Sequence, residues 1–210
     1  MGRPRIAIGW VLVLATALHA QKGSRLGTQL DPATRATVQA LIDSAKKAGL
    51  PGDALENRAL EAAGHGADDA KIVASVRSLA GELGDSRKAL GKSSRPDEIE
   101  AGATALHSGI AVADLKNIRQ AAGQRQLVTP LMVLTDFVSH GVPPQTAAVV
   151  ILQLAKAGVR DSAFSALMRT VRQDIEHGAD PSTAAMTRAR GATLRAPAPP
   201  PVRRSPQGGL

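Results

Sequence analysis

A glycine recurs in this chain directly after stretches whose apolar residues repeat every three or four positions. Such a period places the apolar side chains on one face of an α-helix. A glycine just past the last turn supplies the left-handed backbone that ends a helix without a Cβ clash. An apolar residue follows each glycine, where it can pack against that last turn. The glycines are Gly49, Gly66, Gly109, Gly141, Gly158 and Gly178.

The spacing of these glycines indicates a repeat. Successive members are 17, 43, 32, 17 and 20 residues apart, which favours a unit of about 17 residues with two units in each larger gap. Gly84 and Gly123 are the candidate stops inside those gaps. A helix of one unit is too short to be stable alone and must pack on its neighbours. We therefore expect an all-α fold of seven to nine stacked short helices, a degenerate helix-turn repeat that is solenoid-like or a compact helical array.

Signals for helix starts recur with similar regularity. A capping side chain directly before a proline fits the start of a helix, because the missing proline N–H would be unpaired there in any case. A capping residue followed three positions later by an acid predicts a capping box. The candidate caps are Asp31, Thr129 and Asp180 before prolines, Asp53 with Glu56 at the capping-box spacing, and Asp68, Ser94 and Asp161.

The apolar pattern inside the units predicts the buried faces. No stretch of comparable length alternates strictly between apolar and polar residues, so strands are not expected. The β-branched run at 148–152 is bounded by helix signals and is predicted to be a helix buried on several sides. Residues 127–171 are the most apolar and are expected to be the best-packed half. The periodic positions are Val38, Leu41, Ile42 and Ala45; Ile72, Val76, Leu79 and Leu83; Leu127, Leu131, Leu134 and Val138; and Val149, Leu152 and Ala155.

The first twenty residues have the pattern of a secretory signal peptide. Two arginines precede an apolar run at 6–18, and Ala20 offers a small residue for cleavage. The alternative is an N-terminal membrane anchor, but this run is shorter than the roughly 20 residues that span a bilayer. We therefore expect export with removal of residues 1–20, to the periplasm or the medium, and no stable membrane insertion afterwards. Usage rich in arginine, alanine and glycine indicates a bacterial source.

Three segments are expected in the exported chain. Residues 21–30 are polar, have little to bury and are predicted to be flexible. Residues 31–194 form the all-helical domain, and the loop-like stretch 88–95 is the predicted hinge between its halves. Residues 195–210 are rich in proline and arginine and are expected to be a disordered tail, because such a sequence cannot recover its ordering entropy by burial.

Composition excludes several kinds of site. The chain has no cysteine, which excludes disulfides, thiolate metal sites and cysteine nucleophiles. It has 26 Lys and Arg against 18 Asp and Glu, for a net charge of +8, and these charges are interspersed as on an ordinary solvated surface. With one tryptophan, two phenylalanines and no tyrosine, the chain lacks aromatic platforms for bases or sugar rings. We expect no nucleic-acid partner.

Histidine is the residue whose placement invites a site hypothesis. Four of the five histidines lie one or two positions before a marker glycine. They could form a repeated metal-binding or proton-responsive position, because imidazole is the commonest metal ligand. The alternative is a ring that bonds the last carbonyls of a helix, which recurrence along an array favours. The four residues are His65, His107, His140 and His177.

Carboxylates and sequence motifs do not indicate a particular enzyme. Asp68 with Asp69, and Asp97 with Glu98 and Glu100, fit the first turns of helices. Hydrolytic catalysis would need an apolar pocket and a second carboxylate at a defined separation. No phosphate-binding loop, nucleophile elbow, zinc-protease motif or calcium loop is present. No catalytic residue, cofactor-binding residue, metal ligand or cofactor is therefore assigned.

The expected role is a non-catalytic interaction or scaffold protein of the bacterial cell envelope, whose partner is another envelope protein. The candidate face is the polar side of the helices in residues 53–119, which carries Lys71, Arg77, Lys116 and Arg119. A plain solvated surface explains the same charges. The rival hypothesis is a small-ligand receptor or hydrolytic enzyme with a pocket between the two halves near residues 88–95. The sequence leaves the oligomeric state open.

Overall fold

The computed structural model describes residues 25–196, apart from the side chains of Arg25 and Thr28. The predicted signal peptide, residues 1–20, and most of the predicted tail lie outside this range. The described residues form nine α-helices and no strand, which confirms the all-α prediction. The elements are a 3₁₀ helix Arg25–Thr28, α1 Pro32–Lys47, α2 Gly52–Gly64, α3 Asp69–Leu90, α4 Pro96–His107, α5 Val112–Ala122, α6 Val128–Ser139, α7 Pro144–Lys156, α8 Asp161–Glu176 and α9 Pro181–Leu194.

The helices pack as two rows in an array. Helices α1, α2 and α3 contact one another. From α3 onward each helix packs on the next but one, so that α3, α5, α7 and α9 form one row and α4, α6 and α8 form the other. Neighbouring helices join the rows, as in the pairs α3–α4, α6–α7 and α8–α9. Each helix is therefore stabilised by contacts with neighbours, as expected for units too short to fold alone.

The glycine turns confirm the predicted helix ends with one exception. All six marker glycines and Gly123 have positive φ, as predicted. At Gly141 the amide donates to the carbonyl of Val138 (3.0 Å), and the next amide donates to that of Phe137 (2.9 Å), the pattern of a glycine-terminated helix. The prediction for Gly84 is wrong. Helix α3 continues through it to Leu90, because its apolar face stays packed over the whole length.

The cap predictions hold at three positions. The Asp31 carboxylate accepts from the Ala33 amide (2.8 Å), Asp68 accepts from Lys71 N (2.8 Å), and Asp180 accepts from the Thr183 amide (2.8 Å). The other four predictions are wrong, because those helices begin at a different residue from the one that the polar side chain suggested. The residues that precede α2, α4, α6 and α8 are Pro51, Arg95, Leu127 and Arg160, in place of Asp53, Ser94, Thr129 and Asp161.

Two apolar clusters form the core. The N-terminal cluster extends from Leu26 to Ala103, and the C-terminal cluster extends from Ala89 to Ala189 and contains both phenylalanines of the chain. Helix α4 contributes to both clusters, so the array is continuous across its middle. The expectation that residues 21–30 bury little is wrong for Leu26 and Leu30, which are 0% and 7% exposed.

One predicted helix face is rotated from its expected position. Helix α7 forms as predicted, but Val149 is 51% exposed. The buried face of α7 instead contains Val150, Ile151 and Leu154. Because α7 has apolar residues at consecutive positions, its sequence alone is compatible with burial of either face. The contacts with α5, α6 and α9 determine which face is buried.

Helices α3 and α4 approach closely on either side of the predicted hinge. A Cβ added at Gly102 would overlap the hydroxyl of Ser86. The Ser86 side chain is buried and donates to the carbonyl of Ile99 at 2.8 Å. Small side chains thus let the two backbones lie near each other. Within residues 25–196, no helix combines the length and the apolar character needed to cross a lipid bilayer.

Candidate functional site

The four histidines lie at or just past helix C-termini. The Nδ1 atom of His140 lies 2.8 Å from the carbonyl of Asp136, and that of His177 lies 2.7 Å from the carbonyl of Gln173. These contacts support the helix-end interpretation for two of the four residues. His107 instead pairs with Glu82, with its Nδ1 3.0 Å from Oε1. In the described part of the chain, no group of three or more histidine, aspartate or glutamate side chains is arranged to hold a metal ion.

The structure shows the surroundings of the four cations of the predicted basic face. Arg77 and Lys116 are exposed. Lys71 pairs with Asp68 at 2.7 Å, and this side-chain hydrogen bond lowers the pKa of Asp68, as does the bond from the Lys71 amide. The placement of Arg119 on a solvated face is wrong, because its side chain is only 18% exposed and points into the junction of α4, α5 and α6.

Arg119 and the buried Glu98 form a polar cluster, which we call the Glu98–Arg119 cluster. Glu98 Oε1 accepts from Arg119 Nη2 (2.8 Å) and from the Leu127 amide (2.8 Å). Its Oε2 accepts from the Arg95 amide at 3.3 Å. Arg119 Nη1 donates to the carbonyls of Gly123 (3.0 Å) and Arg125 (2.9 Å). The cluster thereby fixes the start of α4, the end of α5 and the start of α6.

A cleft of about 380 Å³ opens beside this cluster, at the place where the rival hypothesis puts a pocket. Its wall is mostly polar. Both charged groups at its base are held by the protein itself, so neither presents a free carboxylate or guanidinium fork to a ligand. The nearby Asp97 carboxylate is bound to the Arg95 guanidinium. The arrangement is that of a structural ion pair, and no residue in it is assigned a catalytic role.

A second carboxylate on α4 has a perturbed pKa. Burial raises the pKa of Glu100, and the negative charges of Asp53 and Asp97 raise it further. Glu100 lines a small cleft of about 190 Å³ between α2, α3 and α4. Like charges at this spot disfavour the ionised form. The residue is nevertheless exposed at the surface, and it carries no assigned chemistry.

A larger cavity lies between α8 and α9, at the end of the array. We call it the terminal groove, and its volume is about 610 Å³. Small side chains of α8 and α9 form much of its wall, and arginines stand at its edge. Its lining residues are Val159, Arg160, Ser162, Ala163, Ala166, Leu167, Thr170, Thr187, Arg188, Gly191, Ala192, Arg195 and Ala196.

The terminal groove follows from the packing rule of the array. Earlier helices are covered by the next helix but one, as α6 is covered by α8 and α7 by α9. No helix follows α9 within residues 25–196, so α8 lacks such a neighbour. Leu194 at the end of α9 is 83% exposed. The groove is therefore the position that a further helix would occupy.

The charge of the terminal groove is positive. Arg188 is neutralised by Asp174, with Nε and Nη2 at 2.6 and 2.7 Å from its carboxylate, and this bond lowers the pKa of Asp174. Arg160 and Arg195 are exposed and form no ion pair with any described residue. The lining contains no aspartate or glutamate. Two uncompensated arginines thus remain at the groove.

Sequence reasoning did not find the terminal groove. Its residues are small or polar and belong to no motif, and only the array shows that they share one cavity. No protein-family model, curated protein or solved structure matches the chain. The function therefore has to be inferred from the geometry and charge of the terminal groove and from the internal use of the Glu98–Arg119 cluster.

Proposed function

We propose that the protein is an exported, non-catalytic interaction or scaffold protein of the bacterial cell envelope, and that it binds another envelope protein through the terminal groove. The observation that carries this proposal is the open groove of about 610 Å³ at the end of the array. A helix pair that lacks its next neighbour offers a concave surface to a partner. Export rests on the leader pattern of residues 1–20.

The groove supports binding of a partner better than catalysis. Its lining contains no carboxylate, histidine or lysine that could transfer a proton. The serine and threonine hydroxyls in it have no histidine or acid beside them in the lining, so none is activated as a nucleophile. What the groove offers is a wall of apolar and small residues with three arginines in its lining, and arginine is one of the residue types enriched at protein interfaces.

A second candidate is a small-ligand receptor that uses the polar cleft at residues 88–95. The volume of about 380 Å³ lies within the range of small-molecule sites. The Glu98 and Arg119 side chains at its base bind each other and nearby backbone groups. A ligand there would depend on the flanking serine and glutamine side chains instead.

Site-specific photocrosslinking in the native envelope tests the proposed function. A photoreactive residue at Thr187, in the groove, should give one discrete adduct, and the same residue at the exposed Arg77 should not. Gly191→Leu should abolish the adduct by placing a branched side chain in the path of the partner, whereas Gly191→Ala should retain it, because a Cβ at this position meets nothing closer than the Arg195 side chain at 3.9 Å. Equal adducts from both sites, or none from Thr187, would contradict the proposal.

A further inference from the structure

We propose that the segment that occupies the terminal groove is an amphipathic helix of the partner protein with acidic residues on its polar side. This inference rests on the proposed function and adds the chemistry of the partner to it. It depends on three observations: the shape of the groove, the charge of its lining, and the sequence of residues 197–210, which follow the groove in the chain.

The shape of the groove fits a helix. Each of the helices α5 to α9 packs next to the helix two places earlier, and the groove is the corresponding place beyond α9. Ala163, Ala166 and Gly191 in its wall are small enough to let a helix backbone approach closely. An amphipathic helix would place apolar side chains of positions i, i+3, i+4 and i+7 along this wall.

The charge of the groove selects an acidic partner. Helices α8 and α9 are joined by the four residues 177–180, so the start of α8 and the end of α9 lie at the same end of the hairpin. Arg160 directly precedes α8 and Arg195 directly follows α9. Their uncompensated charges therefore lie together at that end of the groove. Carboxylates of the partner helix would pair with them there.

The chain's own C-terminal segment does not have this chemistry. Residues 197–210 follow the groove residue Ala196 directly and are long enough to reach it. They contain no acid, and they add Arg203 and Arg204 to a groove that is already positive. The segment also has prolines at 197 and 199–201, and proline is unfavourable in the interior of an α-helix. If two copies of the chain paired through their grooves, the arginines of one groove would face and repel those of the other.

Two designed peptides test the inference with the full chain. Both have 14 residues and the same apolar face of leucine and alanine, and their polar faces carry either glutamate or lysine. Fluorescence anisotropy should show that the glutamate peptide binds at least about tenfold more tightly than the lysine peptide at low salt. The difference should shrink as salt is raised, because exposed charges are screened.

Paired variants locate the binding. Arg160→Glu with Arg195→Glu should reduce the affinity for the glutamate peptide by about tenfold or more and raise that for the lysine peptide. Arg77→Glu with Arg190→Glu makes the same change in net charge at exposed residues outside the groove and should change both affinities by less than about twofold. Gly191→Leu should weaken binding of the glutamate peptide, and circular dichroism should show all variants as helical as the parent chain.

Several results would overturn the inference. These are equal binding of both peptides, equal effects of the two paired variants, and binding that appears only after residues 197–210 are removed. A groove adduct in the photocrosslinking experiment whose partner segment is basic or uncharged would refute this inference and leave the proposed function standing. Absence of both the groove adduct and peptide binding would refute both.

Discussion

Replacement of Glu98 by alanine should destabilise the fold more than the loss of any exposed ion pair. The Glu98 carboxylate is buried and accepts hydrogen bonds from the Arg119 guanidinium, the Leu127 amide and the Arg95 amide. Alanine removes all three acceptor contacts at once. The Leu127 amide then loses its buried partner, and the Arg119 guanidinium keeps its charge without a counter-ion.

The size of the effect follows from these lost contacts. Removing one partner of a buried ion pair costs about 3–5 kcal/mol, and an unsatisfied buried amide costs about 1–3 kcal/mol. Arg119 remains 18% exposed and borders a polar cleft, so water can partly solvate it. We therefore expect a loss of about 3 kcal/mol from Glu98→Ala, near the lower limit for a buried pair. A domain of this size has about 5–15 kcal/mol in total.

Urea unfolding followed by circular dichroism measures this loss. Arg119→Met removes the charge and retains most of the aliphatic stem, so the double variant Glu98→Ala with Arg119→Met should lose less than the sum of the two single variants. A matched control is the exposed pair Asp85–Lys88, whose atoms lie 3.0 Å apart. Asp85→Ala should cost no more than about 1 kcal/mol.

The reasoning would be refuted by a loss of less than about 1 kcal/mol for Glu98→Ala, since that is the size of an exposed pair. Additive losses in the double variant would also refute it, because they would mean that Glu98 and Arg119 act independently.

Four further substitutions are tested with the same unfolding assay. Gly84→Ala should stabilise the fold by about 0.5–1 kcal/mol, because its new Cβ meets nothing within 4 Å, whereas Gly102→Ala should cost about 1–3 kcal/mol through overlap with Ser86. Burial and neighbouring acids raise the pKa of Glu100 above 4.5, so the ionised form of Glu100 lowers the free energy of unfolding. Glu100→Gln should therefore stabilise the fold at neutral pH, and this gain in stability should disappear below pH 4.5. The side-chain hydrogen bond from Lys71 lowers the pKa of Asp68 below 3.8. The contribution of ionised Asp68 to stability is therefore complete above pH 3.8 and is lost as the pH falls through the lowered pKa. Asp68→Ala should make this loss of stability in acid smaller.

Local chemistry made the turns predictable from the sequence, but not the length of every helix. A glycine at positive φ is required at a turn such as Gly141 whatever the rest of the fold does. Gly84 follows the same sequence rule, yet α3 passes through it because the packing of Leu83 and Leu90 on both sides outweighs the cost of one helical glycine. Tertiary contacts decided that case, and they also decided which face of α7 is buried.

The candidate sites were less predictable than the fold, because they depend on which residues the array brings together. Glu98 and Arg119 are 21 positions apart in the sequence, and no sequence motif predicts that they pair. Their types suggested a helix start and a solvated face, and only the first of these is correct. The terminal groove depends on where the row of helices stops, which no spacing of residues in α8 or α9 reveals.

The packing rule of the array also supports the proposed binding at its end. Helices of this length are held by their neighbours, and within residues 25–196 α8 has no helix two places later to cover it, as α6 and α7 do. The final helix α9 buries only three alanines, Ala184, Ala185 and Ala189, and alanine contributes little apolar area compared with leucine or valine. A helix in the groove would supply the contacts that α8 and α9 lack. Binding of an acidic helix would therefore stabilise the end of the array by the same packing that stabilises its middle.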